Sequence, residues 1–141
     1  MSQRIFVAGV GVISAIGKNV AECLDSLENS RAGIGDMIYL DSVHKQKIPV
    51  AEVKMSNDDL ARLSGLSKTK SRTALLSGIA AKEALNNSGI ENIEALRTGF
   101  ISANSVGGMD KTEKFFADFF FNNQKSNLNY TRYLNFHIEL T

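Results

Sequence analysis

From Ile5 to Val12 the chain reads IFVAGVGV, apolar at almost every position and rich in β-branched residues, which predicts a strand buried on both faces, as in a parallel sheet. The period then changes. Val20, Leu24 and Leu27 recur at helical spacing behind Asn19, a residue suited to cap them, so VAECLDSLENS predicts a helix that Gly33 and Gly35 end. Cys23 lies beside that apolar stripe. Ile34 to Lys54 is weakly patterned and predicts a long surface excursion, in which KIPVAEV is a candidate edge strand because Pro49 cannot donate to a ladder.

A second helix start follows at Ser56, with Asp59 as its capping-box acid, ahead of Leu60 and Leu63, and it should stop near Gly65. KTKSRTALLSGIAAKEALNNSG then carries Leu75, Ile79 and Leu85 on one side and the small residues Ala74, Ser77, Gly78, Ala81 and Ala84. Small side chains let a backbone approach its neighbour, so this predicts a central, buried helix closed by Asn87 and Gly89. TGFISAN predicts a second strand and SVGG a tight loop; DKTEKFFADFFFNN predicts a helix with Asp110 as cap facing Glu113. Strand, helix, excursion, helices, strand and helix make an α/β order with parallel crossovers. Two main strands are too few for a finished sheet, so either the excursion hides strands or the chain belongs to something larger.

Composition narrows the picture. A chain of 141 residues, 43% hydrophobic and 22% charged, suits one globular unit. A net charge of +1 gives no global pull toward nucleic acid or an anionic membrane. The single cysteine, Cys23, excludes an internal disulfide and a multi-cysteine metal site, which fits a reducing cytoplasm. Arg4 ahead of an apolar run imitates a secretory leader, but Gly9, Gly11 and Gly17 weaken a helical insert and the run is too short to span a bilayer.

The same glycines fit a nucleotide cradle poorly. Ser14 stands where the dinucleotide fingerprint needs its third glycine, the region that should close a second strand with an acid is a helix, and no Lys-Ser or Lys-Thr pair follows to make a phosphate loop. Glycines that relieve crowding around a buried strand explain the run without a nucleotide.

IFVAGVGVISAIGKNVAECLDSLENSRAGIG resembles the amino terminus of the β-ketoacyl-acyl carrier protein synthases, the condensing enzymes of fatty acid and polyketide synthesis. Gly9, Gly11, Ser14 and Gly17 keep the family register, while Ala8 replaces the usual Thr and Ala15 the usual Pro. SRTALLSGIAAKEALNNSGI resembles the family's long buried helix, and TGFISANSVGGMDKTEKFF its next strand and glycine loop. The resemblance implies an α/β, thiolase-like layered fold of which residues 1–124 form the amino-terminal part of the first half, with residues 125–141 departing from the family pattern as a truncation scar, a frameshifted end or a divergent segment.

It further implies a decarboxylative Claisen condensation between an acyl thioester and malonyl-carrier protein, with an acidic acyl carrier protein as partner, no cofactor, no metal, and self-association. The family's nucleophilic cysteine and two histidines are missing, so no catalytic residue is assigned and the chain alone is expected to be inactive. Cys23 falls inside the first helix and reads as a buried structural thiol. His44 reads as a solvated surface residue; His137 sits in Asn135-Phe136-His137, but Ile138 stands where the family motif needs glycine. Asp58 and Asp59 are adjacent and read as first-turn acids.

Val106 matches the position where the family sets a hydrophobic side chain at the acyl pocket, and a loop valine packed in the core explains it equally. Lys68, Lys70 and Arg72 lie where the family docks its carrier protein, and a plain solvated face is the competing account; Arg72 stands in place of a common family Asp. Phe115, Phe116, Phe119, Phe120 and Phe121 cover more than one helix face, which suggests a partner subunit or further chain over the excess. The alternative function is a non-catalytic carrier-binding or scaffolding protein on the same fold.

Overall fold

The computed structural model describes the backbone of residues 4–121 and the side chains of that span apart from 117–119 and 121. It contains α1 (Val20–Glu28), α2 (Asn57–Ser64), α3 (Arg72–Asn87) and α4 (Met109–Phe121), with one 3-10 turn at Ile93–Ala95. The chain is therefore partly helical.

The helix starts follow local chemistry. Asn19 accepts the Glu22 N–H through its side chain, Ser56 accepts that of Asp59, and Ser71 that of Ala74, each satisfying an amide the first helical turn leaves without an internal acceptor. Asp59 takes the Ser56 hydroxyl in return at 2.7 Å, so Asp58 and Asp59 are first-turn acids as expected. Gly65 ends α2 at φ 78°, a left-handed conformation that favours glycine.

The α/β expectation is met only in its helices. Among the described residues neither Ile5 to Val12 nor Thr98 to Asn104 belongs to a named strand, and the β-pairing is limited to isolated bridges, Ser14 with Gly17 and Gly35 with Val50. KIPVAEV contributes only the Val50 end of the second bridge. The physical reason is that a strand is completed by its neighbour: among the described residues both segments lack a ladder partner, and Ile5 is 96% and Ile101 94% exposed.

The centre of the packing is α3. It lies along α2, with Leu60 of α2 and Leu75 of α3 fully buried; the expectation of a buried α3 is met at Leu75, whereas Ile79 and Leu85 are half-buried. On another face of α3, Gly9 and Gly11 press against backbone: a Cβ on Gly9 would stand 2.1 Å from the Ala84 carbonyl oxygen, and one on Gly11 2.0 Å from that of Ala80. The glycines thus do what close approach demands. The helix begins at Arg72, so Lys68 and Lys70 lie in the turn before it and not in its first turn.

Two further expectations are corrected. The inward face of α1 is Cys23 and Ser26, whereas Leu24 and Leu27 are exposed. The turn at residues 14–17 packs too closely for large side chains: Ser26 Oγ donates to the Ile16 carbonyl at 2.6 Å, Cys23 Sγ lies 3.3 Å from Ser14 Oγ, and a Cβ on Gly17 would meet the Cys23 nitrogen at 2.5 Å. In α4, Asp110 is inside the first turn and not the cap; the Gly108 carbonyl receives the Lys111 and Thr112 amides, and the Asp110 carboxylate accepts the Arg72 N–H at 3.3 Å.

Candidate functional site

The region around the start of α3 holds the expected docking residues and, through Arg72, a carboxylate that pattern alone does not single out, Glu52. Lys68 is exposed and Lys70 half-buried in the turn that enters the helix. Arg72 is turned to a different task. Its guanidinium donates to the Val53 carbonyl at 2.6 Å, the Met55 carbonyl at 3.0 Å and Asn57 Oδ1 at 2.8 Å, and it lies 5.9 Å from the Tyr39 ring centroid. Of the three cations, the one with the most donors is thus bound to the foot of the excursion.

Glu52 organises the excursion itself. Its carboxylate accepts the backbone N–H groups of Ile38, Tyr39 and Leu40. Burial pushes the Glu52 carboxyl up, but those three amides and the Arg72 charge together outweigh it and hold it below the ordinary carboxylate value. The Asp59 carboxyl is lowered too, first by the Ser56 hydroxyl and also by Arg62, against a smaller upward push from burial.

Glu83 joins three segments. One carboxylate oxygen accepts the Val12 N–H at 2.9 Å and the other accepts the Val20 N–H, the first of α1, at 2.8 Å. Asn87 adds a bond from its side-chain nitrogen to the Val10 carbonyl at 3.0 Å. Ala80, Glu83, Ala84 and Asn87 therefore form one face of α3 toward the glycine run. A charged residue at helical spacing among small ones was the available signal for Glu83.

The remaining expected site residues are dispersed. Val106 is 70% exposed among the described residues. Its loop is shaped by Asn104, whose side chain accepts the Gly107 N–H at 2.6 Å. Cys23 is buried against Ser14, and His44 is exposed, each as expected from sequence. Phe116 and Phe120 are 62% and 68% exposed with ring centroids 6.0 Å apart, in keeping with an excess aromatic face on α4. The side chains of Phe119 and Phe121, and all of His137, lie outside the described residues.

Among the described residues no group of His, Cys, Asp and Glu is placed to hold a metal ion, and no helix is long and apolar enough to cross a membrane. Comparison with protein-family models, with curated proteins and with solved structures returned no match.

Proposed function

We propose that this chain is the amino-terminal part of a β-ketoacyl-acyl carrier protein synthase of thiolase-like fold, working in the cytoplasm in fatty acid or polyketide synthesis. The complete enzyme joins an acyl thioester to malonyl-carrier protein by decarboxylative Claisen condensation. The observation that carries this reading is the seat of Gly9 and Gly11 on Ala84 and Ala80, because two of the segments that resemble the family pack backbone to backbone.

The chain alone binds carrier protein and does not condense. Lys68, Lys70 and Arg72 supply the attraction to an acidic carrier, and Arg72 also donates to Val53, Met55 and Asn57. Val106, exposed at the head of the glycine loop, would line the acyl pocket once further chain covers it. Titration with acyl-carrier protein, in the presence of malonyl-carrier protein, reads binding and chemistry together. We expect saturable binding, weaker and less salt-dependent in Lys68→Glu and Lys70→Glu, with no β-ketoacyl product. Binding unchanged in both variants overturns the docking assignment. Product that disappears in Cys23→Ser overturns the structural assignment of Cys23.

Self-association belongs to the same reading. Ile5, Val7, Ile101, Phe116 and Phe120 are exposed apolar side chains on the two strandless apolar runs or on α4, and exposed apolar surface favours pairing with another chain. Light scattering should give a dimer or larger assembly. A monomer that persists at high protein concentration would exclude it.

A further inference from the structure

The excursion between α1 and α2 is held down in an unusual way. Met37, 4% exposed, is the only buried apolar side chain in residues 36–55, while Ile38, Tyr39, Leu40, Val43 and Ile48 are exposed. Apolar burial therefore anchors it at one point. The other attachments are polar. Gly35 and Val50 exchange backbone bonds of 3.0 and 2.9 Å; Lys45 Nζ donates to the Ile38 carbonyl at 3.1 Å; Glu52 gathers the amides of Ile38 to Leu40; and Arg72 ties Val53 and Met55 to α3.

These attachments act in series. Arg72 fixes the foot of the excursion to α3, and Glu52, at that foot, folds residues 38–40 back toward it. Three successive N–H groups converging on one carboxylate form a concave anion site, filled here by the chain's own side chain. The same fold-back places the Tyr39 ring over the Arg72 guanidinium.

We propose that residues 36–50 are a releasable strap with Glu52 as its catch, and that release lifts Tyr39 from Arg72 and uncovers the face of that cation. The inference rests on the local geometry and is independent of the condensing-enzyme reading. Glu52 is a positioning residue: it touches no reactant and sets where Tyr39 sits. The bridge from Gly35 to Val50 and the burial of Met37 limit how far the strap travels.

Amide hydrogen exchange on the full chain tests this, comparing the wild type with Glu52→Ala. The amides of Ile38, Tyr39 and Leu40 are expected to exchange on the order of tenfold faster in the variant, with those of α2 and α3 unchanged. Unchanged exchange at residues 38–40 overturns the catch. Acceleration that spreads equally through α2 and α3 also overturns the proposal, because the excursion would then be part of one cooperative unit with the helices.

Discussion

Gly11→Ala is expected to destabilise the fold by about 3 kcal/mol or more, far beyond what one added methyl costs at an open site. The new Cβ would stand 2.0 Å from the Ala80 carbonyl oxygen and 2.7 Å from the Ala84 nitrogen. Both are backbone atoms of α3, so no side chain can swing away; the glycine run must lift off the helix. Lifting it would stretch the Val12 bond to Glu83 and the Val10 bond to Asn87, and the loss would exceed the clash alone. Gly99→Ala is the control. Nothing lies within 4 Å of its added Cβ, and its change should stay within about 1 kcal/mol, with a small gain allowed by the stiffer unfolded chain. Urea denaturation of the two variants decides the matter, and equal midpoints would show that the glycine run does not rest on α3.

The contrast between these glycines shows what was legible in the sequence. Helix caps are local chemistry, so Asn19, Ser56, Asp59 and Gly65 could be placed from neighbours a few positions away. The small residues of α3 announced that some backbone would come close, and the glycines of the first segment announced the same need from the other side. Whether two needs meet is a question of tertiary distance. Here they do at Ala80 and Ala84, but the strand pairing that the apolar runs at Ile5 to Val12 and Thr98 to Asn104 also call for is not met among the described residues. An apolar, β-branched run encodes a demand for cover, not the identity of what supplies it, and among the described residues neither run has a ladder partner.

Periodicity misplaced the inward face of α1 for a related reason. Leu24 and Leu27 are the strongest apolar signals in that helix, yet the tight turn at residues 14–17 accepts only a thiol and a hydroxyl against it. Side chains that bond to distant backbone were the least legible of all. Glu52 reaches amides 12 to 14 positions away and Arg72 carbonyls 17 and 19 positions away, separations on which no periodic pattern depends. Arg72 read as a surface cation because its charge was visible and its acceptors were not.

Glu83 is the largest case of this kind, and Glu83→Ala is expected to cost about 2–4 kcal/mol. Each carboxylate oxygen accepts one N–H, Val12 at 2.9 Å and Val20 at 2.8 Å, and bonds to a charged acceptor are stronger than those between neutral groups. The Val20 amide is one of the first-turn donors that α1 cannot satisfy internally, and a negative charge there also complements the helix dipole. Alanine removes both bonds and the charge while leaving helix propensity at its best, so any loss measures the lost connection and not a weakened α3. Glu83→Gln separates the contributions. Its side-chain oxygen can serve one amide, but its NH₂ would face the other donor, so at most about half of the stability should return. The two variants should also lower the helical signal of α1 before that of α3 as urea rises. An alanine variant within about 0.5 kcal/mol of wild type would mean that the glycine run and α1 hold their places on α3 through packing alone.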